Sequence, residues 1–365
     1  MKKHHPSLWF FLILAGFAFL LSAGCEESDD NDNNIIPDTT QNGDTNLIPA
    51  GWKKVGDLNA NDMIWSLASD GSGNIYAAGY FTNGQGYRYV AKWNGTSWSE
   101  LGNLNANHWI FAITATQNGH VFAVGDFTNG ATPSGGFPYV AHWDGSGWND
   151  IGGGGGYSIT ADQNNNIYVR DSVWNGTSWS ILCPACSLSM GTVYSIATND
   201  EGTARYAGGT FSLQNGYRYI AGCDESNCWS PLGDLNANED IQAIITDPSG
   251  NVYAGGRFTN GSLPTTGYHY VAKWNGTGWS ELGNLNANGT IYSLAFDRVH
   301  NYVYASGYFT NSKGEYYVAK WDGTSWNDLG NMHLAPAPIM VDRNGKLYSV
   351  VGSSDGKKFN VVVHD

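Results

Sequence analysis

The segment YVAKWNGTSWSELGNLNAN at residues 89–107 returns almost unchanged as YVAKWNGTGWSELGNLNAN at residues 270–288. Working outward from it, one phase of the repeat is marked by Trp52, Trp98, Trp148, Trp179, Trp229, Trp279 and Trp326, at spacings of 46, 50, 31, 50, 50 and 47 residues. Each unit is too short to bury its own apolar face, and periods of this size are those of propeller blades. Within a unit, the spacing predicts four strands. In the first, strand a covers Ile64–Ala68, strand b Asn74–Gly79, strand c Tyr89–Trp93, and strand d surrounds Trp98. Between c and d stands Asn94-Gly95, with Asp144-Gly145, Asn175-Gly176, Asn275-Gly276 and Asp322-Gly323 at the matching places. Such dipeptides supply the positive φ of a tight hairpin. The turn accounts for them without invoking glycosylation of the Asn94-Gly95-Thr96 triplet.

Counting strands decides how the ring closes. Sets of strands a, b and c are expected to begin near 64, 110, 157, 193, 241, 291 and 339, and the chain ends on strand c at Lys358–Val363. The first strand d, at Trp52, precedes any strand a. It can therefore complete the last blade and leave no exposed edge. The fold expected is all-β, a seven-bladed β-propeller over residues 51–365 whose ring is closed by the N-terminal strand. The third unit, Tyr157 to Trp174, lacks the Tyr-Phe-Thr-Asn-Gly stretch and reads as a stunted blade; if it were not a blade, the ring would have six.

Composition agrees, since 48 glycines with 14% aromatic and only 14% charged residues suit short strands and turns. A formal charge of −14 with no basic patch argues against nucleic acid. The run Asp247 to Gly255 resembles bacterial β-propeller repeats of the SBBP and NHL kind. The Ala-Lys-Trp-Asn-Gly-Thr-Ser-Trp segment resembles WNGTSW repeats of bacterial surface proteins and a kelch-like fungal polarity marker. That resemblance spans 51–365 and implies the fold; it transfers no catalytic residue, because propellers serve as lectins, scaffolds and enzymes alike.

Lys2 and Lys3 followed by an apolar run from Leu8 to Leu21 form a signal peptide over 1–24. Leu21-Ser22-Ala23-Gly24-Cys25 resembles the lipobox of bacterial lipoproteins, with Ser22 where Leu is commonest. The resemblance implies a lipid on Cys25 and attachment to a membrane. Residues 25–50 form an acidic tether without periodicity, carrying Glu26, Glu27, Asp29, Asp30, Asp32, Asp38 and Asp44. Acidic residues directly after the cysteine resemble surface-export signals of Bacteroidota-type lipoproteins. A spacer with no address value reads equally well. The location expected is the outer membrane, on the cell surface or the periplasmic side.

Four cysteines remain, an even number that favours disulfides in an exported chain. Cys223 and Cys228 flank the turn at 224–227 and face each other across a hairpin. Cys183 and Cys186 form a CxxC in which Ser187 stands where haem attachment needs His. A labile CxxC or a four-cysteine zinc site is the alternative. The two pairs fall on opposite faces of the ring, which favours Cys223–Cys228 and Cys183–Cys186 bridges.

The d–a loops carry Asn59, Asn105, Asn236 and Asn286 in a recurring Leu-Asn-Ala-Asn motif. Aromatic residues on strand a follow directly: Trp65, Phe111, Tyr157, Tyr194 and Tyr292. Amides that bond hydroxyls, beside rings that cover the apolar side of a sugar, are candidate glycan-binding groups. The competing reading is that asparagine satisfies loop backbone and the rings pack between blades. The b–c loops, with Arg88, Arg218 and His269 near them, divide between ligand rim and turn in the same way. Asp70, Asp162, Asp247, Asp297 and Asp342 fit Asx turns better than calcium, which takes six to eight oxygens. The histidines show no ligand spacing, so neither a metal nor any other cofactor is expected. No nucleophile with its base stands out, and a monomeric, non-enzymatic module binding a glycan or protein is expected. A structural component of the envelope and a glycan lyase or hydrolase are the alternatives. Cys25→Ser is expected to shift the protein from membrane to soluble fractions; a variant that stays membrane-bound and whose mass is unaltered apart from the substitution itself would rule out lipidation.

Overall fold

The computed structural model describes residues 48–130, 135–182, 191–212, 216–224, 229–261, 266–333, 337–353 and 356–364. The signal peptide, Cys25, most of the tether, Cys183, Cys186 and Cys228 lie outside them.

The described residues form seven four-stranded antiparallel sheets. In the first blade β2 (Ile64–Ser69), β3 (Ile75–Gly79), β4 (Ala91–Trp93) and β5 (Trp98–Glu100) pair in chain order. The second holds β6 (Ile110–Ala115), β7 (Val121–Gly125), β8 (Ala141–Trp143) and β9 (Trp148–Asp150). The third holds β10 (Thr160–Ala161), β11 (Ile167–Val169), β12 (Ser172–Trp174) and β13 (Trp179–Ile181). Blade four runs from β14 (Val193–Thr198) through β15 (Ala204–Gly209) and β16 (Ala221–Asp224) to β17 (Ser230–Pro231). Blade five comprises β18 (Ile241–Thr246), β19 (Val252–Gly256), β20 (Ala272–Trp274) and β21 (Trp279–Glu281). Blade six comprises β22 (Ile291–Asp297), β23 (Tyr302–Gly307), β24 (Tyr317–Trp321) and β25 (Trp326–Asn331).

The seventh blade joins the two ends of the domain. Its strands β26 (Met340–Val341), β27 (Leu347–Gly352) and β28 (Phe359–His364) are completed by β1 (Trp52–Lys54). Trp52 pairs with His364, Lys53 with Val363 and Lys54 with Val362. The innermost strands β2, β6, β10, β14, β18, β22 and β26 follow one another around a central channel. The ring therefore has seven blades and not six. The third blade is complete but stunted, and its strand a begins at Thr160, leaving Tyr157 ahead of the sheet. Strand c of the first blade starts at Ala91, two residues later than the sequence predicts.

Apolar layers lie between successive blades. One joins Ala68, Tyr76 and Val90 of the first blade to Ile110, Ile113 and Val121 of the second. Strand b of most blades is buried at every position because a neighbouring blade covers each face. The strand d tryptophans lock these layers. The indole N–H of Trp98 donates to the carbonyl of Val55, 2.5 Å away, in the preceding blade. Trp148 bonds Leu101, Trp179 bonds Ile151, Trp279 bonds Leu232, Trp326 bonds Leu282 and Trp52 bonds Leu329, each at 2.6–2.7 Å. After each bonded Val or Leu in four blades comes a glycine with φ near 60°, at Gly56, Gly102, Gly233 and Gly283. A Cβ on Gly56 would fall 2.3 Å from the Trp93 ring, so the strand c tryptophan of the next blade demands the glycine.

The turns correct the sequence in one respect. Asn94-Gly95 opens a four-residue loop between the paired Trp93 and Trp98, and only Gly95 has positive φ, at 94°. Asn94 instead accepts the N–H groups of Thr96 and Ser97, both at 2.9 Å. The aspartates after strand a are Asx caps, as expected. The Asp70 carboxylate accepts from the Ser72 and Asn74 backbones, the Asn74 amide and the Tyr76 hydroxyl. Burial alone would raise its pKa, but these bonds outweigh it and hold the carboxyl below the usual range. Deleting residues 51–56 removes β1 and bares the edge of β28. A lower melting temperature and aggregation are expected; a truncated domain as stable as the intact one would contradict closure by β1.

Candidate functional site

Strand a opens with the same irregularity in five blades. The pairing of β2 with β3 shifts register between Ile64 and Ser66, so Trp65 is the extra residue of a β-bulge. Phe111, Tyr194, Gln242 and Tyr292 occupy the bulge in β6, β14, β18 and β22. A bulge re-aims a side chain and bends its strand. It also brings backbone over the last residue of strand b. A Cβ on Gly79 would lie 2.2 Å from the Met63 carbonyl oxygen, and Gly125, Gly209, Gly256 and Gly307 are as tightly covered. The residue after that glycine is then held by a backbone bond across the bulge, as from Tyr80 N–H to the Met63 carbonyl at 2.9 Å.

The bulge residues Trp65, Phe111 and Tyr194, with Tyr80 after β3, Trp109 before β6 and Tyr157 ahead of β10, form an aromatic arc at the upper end of the ring. Trp65 stacks on Tyr80 at 5.5 Å, and Tyr80 stacks on Trp109 at 4.6 Å. Trp109 leads to Phe111 at 6.3 Å, Phe111 stacks on Tyr157 at 5.1 Å, and Tyr157 meets Tyr194 edge-on at 5.8 Å. The rings run without a break from blade one to blade four. Tyr292 stands apart from them with Tyr308, at 5.3 Å. Burial, followed by the charge of Asp126, pushes Tyr80 up to about 12. Burial and the neighbouring Tyr292 and Tyr316 do the same for Tyr308. Both phenols remain neutral at physiological pH and keep a hydrogen to donate.

Charges punctuate the arc. His108 Nδ1 lies 3.8 Å from the Asp126 carboxylate. Burial raises Asp126 against the pull of His108, and burial lowers His108 against the pull of Asp126. Further round, Arg218 Nε holds Asp240 at 2.9 Å. Arg88 Nε and His108 Nδ1 are buried with no hydrogen-bond partner among the described residues. Such atoms call for a partner from elsewhere.

The stunted blade opens the arc into a cleft. β7 and β8 are separated by residues 126–140, whereas only Arg170 and Asp171 join β11 to β12. Glycines 152–156 replace the Leu-Asn-Ala-Asn loop. The result is a cavity of about 630 Å³ lined by Phe111, Asp126, Phe137, Tyr157, Arg170 and the glycine run. Phe137 is 81% exposed and Tyr157 45%, so two large rings face solvent at one place. A second cavity, of about 550 Å³, lies at the lower end of the channel, where Arg298 pairs with Asp200.

The structure brings Trp65, Phe111, Tyr157 and Tyr194 into one array and leaves Tyr292 outside it. The four loop asparagines lie in the d–a crossovers, each just before an alanine that bridges to the start of strand c, or to the residues leading into it, in the preceding blade. Ala106 and Ala237 pair with Arg88 and Arg218, next to strand c of the preceding blade, and Asn105 and Asn236 precede those alanines. Asn59, Asn105, Asn236 and Asn286 all have left-handed backbones, with φ of 47–48°. That conformation is a sufficient structural reason for asparagine. The second asparagine of the motif fastens the next b–c loop: Asn107 accepts from Thr128 N–H and donates to the Gly130 carbonyl. The sequence reading missed Tyr80, Trp109, Asp126, Arg257 and Tyr308. A signal was present, because the residue between the strand b glycine and the next phenylalanine is Tyr80, Asp126, Thr210, Arg257 or Tyr308 in otherwise similar repeats.

No family model matches the sequence, and no curated protein is similar to it. Solved structures are similar in fold. Hydrazine synthase of Kuenenia stuttgartiensis aligns at TM-score 0.60 with 11% identity, over 84% of this chain and 96% of that one. A chain of a mitotic checkpoint complex aligns at 0.60 with 13% identity, over 90% and 98%. Virginiamycin B lyase from Staphylococcus aureus aligns at 0.58 with 10% identity, over 85% and 98%. At these identities the likeness establishes the seven-bladed propeller and nothing about chemistry. For the loop asparagines, Asn105→Gly is expected to melt near the wild-type temperature. Asn105→Val, forced to a φ of 47°, should lose about 1–2 kcal/mol. Equal melting temperatures would remove the conformational explanation.

Proposed function

We propose that this chain is a non-enzymatic binding module of the cell envelope that recognises a glycan along the aromatic arc. The observation that carries the reading is the unbroken row from Trp65 to Tyr194, half-buried at its start and solvent-facing at Tyr157. Ring faces cover the apolar side of a pyranose, while neutral phenols and the Asp126 and Arg170 side chains supply hydrogen bonds to its hydroxyls. A lipid on Cys25 would hold the module at a membrane, and Cys223–Cys228 and Cys183–Cys186 bridges would suit an exported chain. The alternative of an enzyme acting on such a glycan draws on one observation: Asp126 and His108 adjoin the cleft with protonation displaced in opposite directions, as an acid–base pair requires.

A glycan array followed by calorimetry tests the reading. Phe111→Ala or Tyr157→Ala is expected to weaken binding by about 1 kcal/mol, roughly fivefold, for each ring removed. Val299→Ala, at an exposed site on the lower face, should bind like wild type. Ligands that bind all three variants equally would place recognition elsewhere. Conversion of the bound glycan to product, abolished by Asp126→Asn, would favour the enzyme.

A further inference from the structure

Blade two departs from the repeat at four positions that lie together at the lower end of its strands b and c. In blade one Asp70, Asn74, Tyr76 and Lys92 occupy these places, and the Lys92 ammonium lies over the Tyr76 ring. Blade five repeats the arrangement with Lys273 over Tyr253. In blade two the corresponding residues are Thr116, His120, Phe122 and His142. The exchange of a lysine and an asparagine for two histidines puts His120 Nδ1 2.7 Å from His142 Nε2. Phe122 lies flat against His142, with centroids 4.3 Å apart and planes at 3°, and fixes the orientation of that imidazole. Phe122 pairs with His142 and Val121 with Trp143, so His120, Phe122, His142 and Asp144 share one face of the sheet.

We propose that His120 and His142 form a two-imidazole site for a divalent transition metal of the zinc and copper class. Two ring nitrogens this close hold a single proton between them. When that proton moves to the far nitrogen of its own ring, through solvent, both lone pairs converge on one point. Metal–nitrogen bonds of about 2.0–2.1 Å put two tetrahedral ligands roughly 3.3 Å apart. The rings must open by roughly 0.6 Å to reach that spacing, a small side-chain rotation. Asp144, two residues beyond His142 on the same face of the sheet, adds an attractive charge. Imidazole selects zinc, copper and nickel, and hard ions such as magnesium and calcium prefer oxygen. Water would complete the coordination.

The test is calorimetric titration of the purified full chain with zinc chloride and with copper chloride, beside the double variant His120→Asn/His142→Lys. Those substitutions install the residues of blade one, so the fold is retained, as a melting curve verifies. The wild type should bind one equivalent that the variant lacks, gain melting temperature with zinc where the variant does not, and lose affinity on acidification, as protons compete for the ring nitrogens. Magnesium should bind neither. Equal stoichiometry in the two proteins, including binding that persists at His4 and His5, would overturn the proposal. The electron paramagnetic resonance spectrum of one equivalent of copper gives a second readout. Coupling to two imidazole nitrogens in the wild type that the double variant lacks supports the site, and a wild-type spectrum without nitrogen coupling, or one that the variant reproduces, overturns it.

Discussion

A tryptophan N–H donating to a backbone carbonyl of the neighbouring blade is the interaction on which the ring depends. Six such bonds link successive outer strands, from Trp52 to Leu329 through Trp326 to Leu282. Each removes an indole and a carbonyl from water at the rim of an apolar layer, where an unpaired polar group would be costly. The bond sets where the next blade sits, and the adjoining glycine leaves room for that blade's strand c tryptophan. The seam between blades three and four is the exception. Trp229 Nε1 is buried without a hydrogen-bond partner among the described residues, and among them Tyr168, Leu182 and Ile196 form the buried apolar cluster there. That seam adjoins the stunted blade, whose shortness also opens the upper cleft.

Much of this was legible in the sequence, because tryptophan spacing and Asn-Gly or Asp-Gly turns report directly on blade period and hairpins. Strand starts at Ile64, Ile110, Val193, Ile241 and Ile291 coincide with the predicted ones. The same reading placed Tyr157 in a strand, since an aromatic before Ser-Ile-Thr looks like Trp65 before Ser-Leu-Ala. The glycine run ahead of Tyr157 lets the chain cross without pairing, and β10 is only two residues long. The bulges were not legible, because an extra residue leaves no mark on composition and is defined only against its partner strand.

The candidate site was legible in half. Trp65, Phe111 and Tyr194 were singled out as strand a aromatics that follow the d–a loops, and they share the arc. The asparagines were singled out by recurrence, yet their recurrence follows from a backbone φ of 47–48°. Recurrence marks what every blade must do to pack, whereas difference between equivalent positions marks what only one place in the ring does. Tyr80, Asp126, Arg257 and Tyr308 occupy a position of the second kind, and so do His120 and His142.

The clasp of the ring is also the first strand of the domain. β1 runs antiparallel to β28, and the chain enters it at Trp52 through a turn closed by the Trp52 N–H on the Pro49 carbonyl, 3.0 Å away. Tension applied to the preceding residues would load the β1–β28 hydrogen bonds side by side, in shear, together with the Trp52–Leu329 bond. Bonds strained together resist force far better than bonds opened one after another. A propeller hung by its N-terminus would therefore carry its load on the strand that keeps it closed.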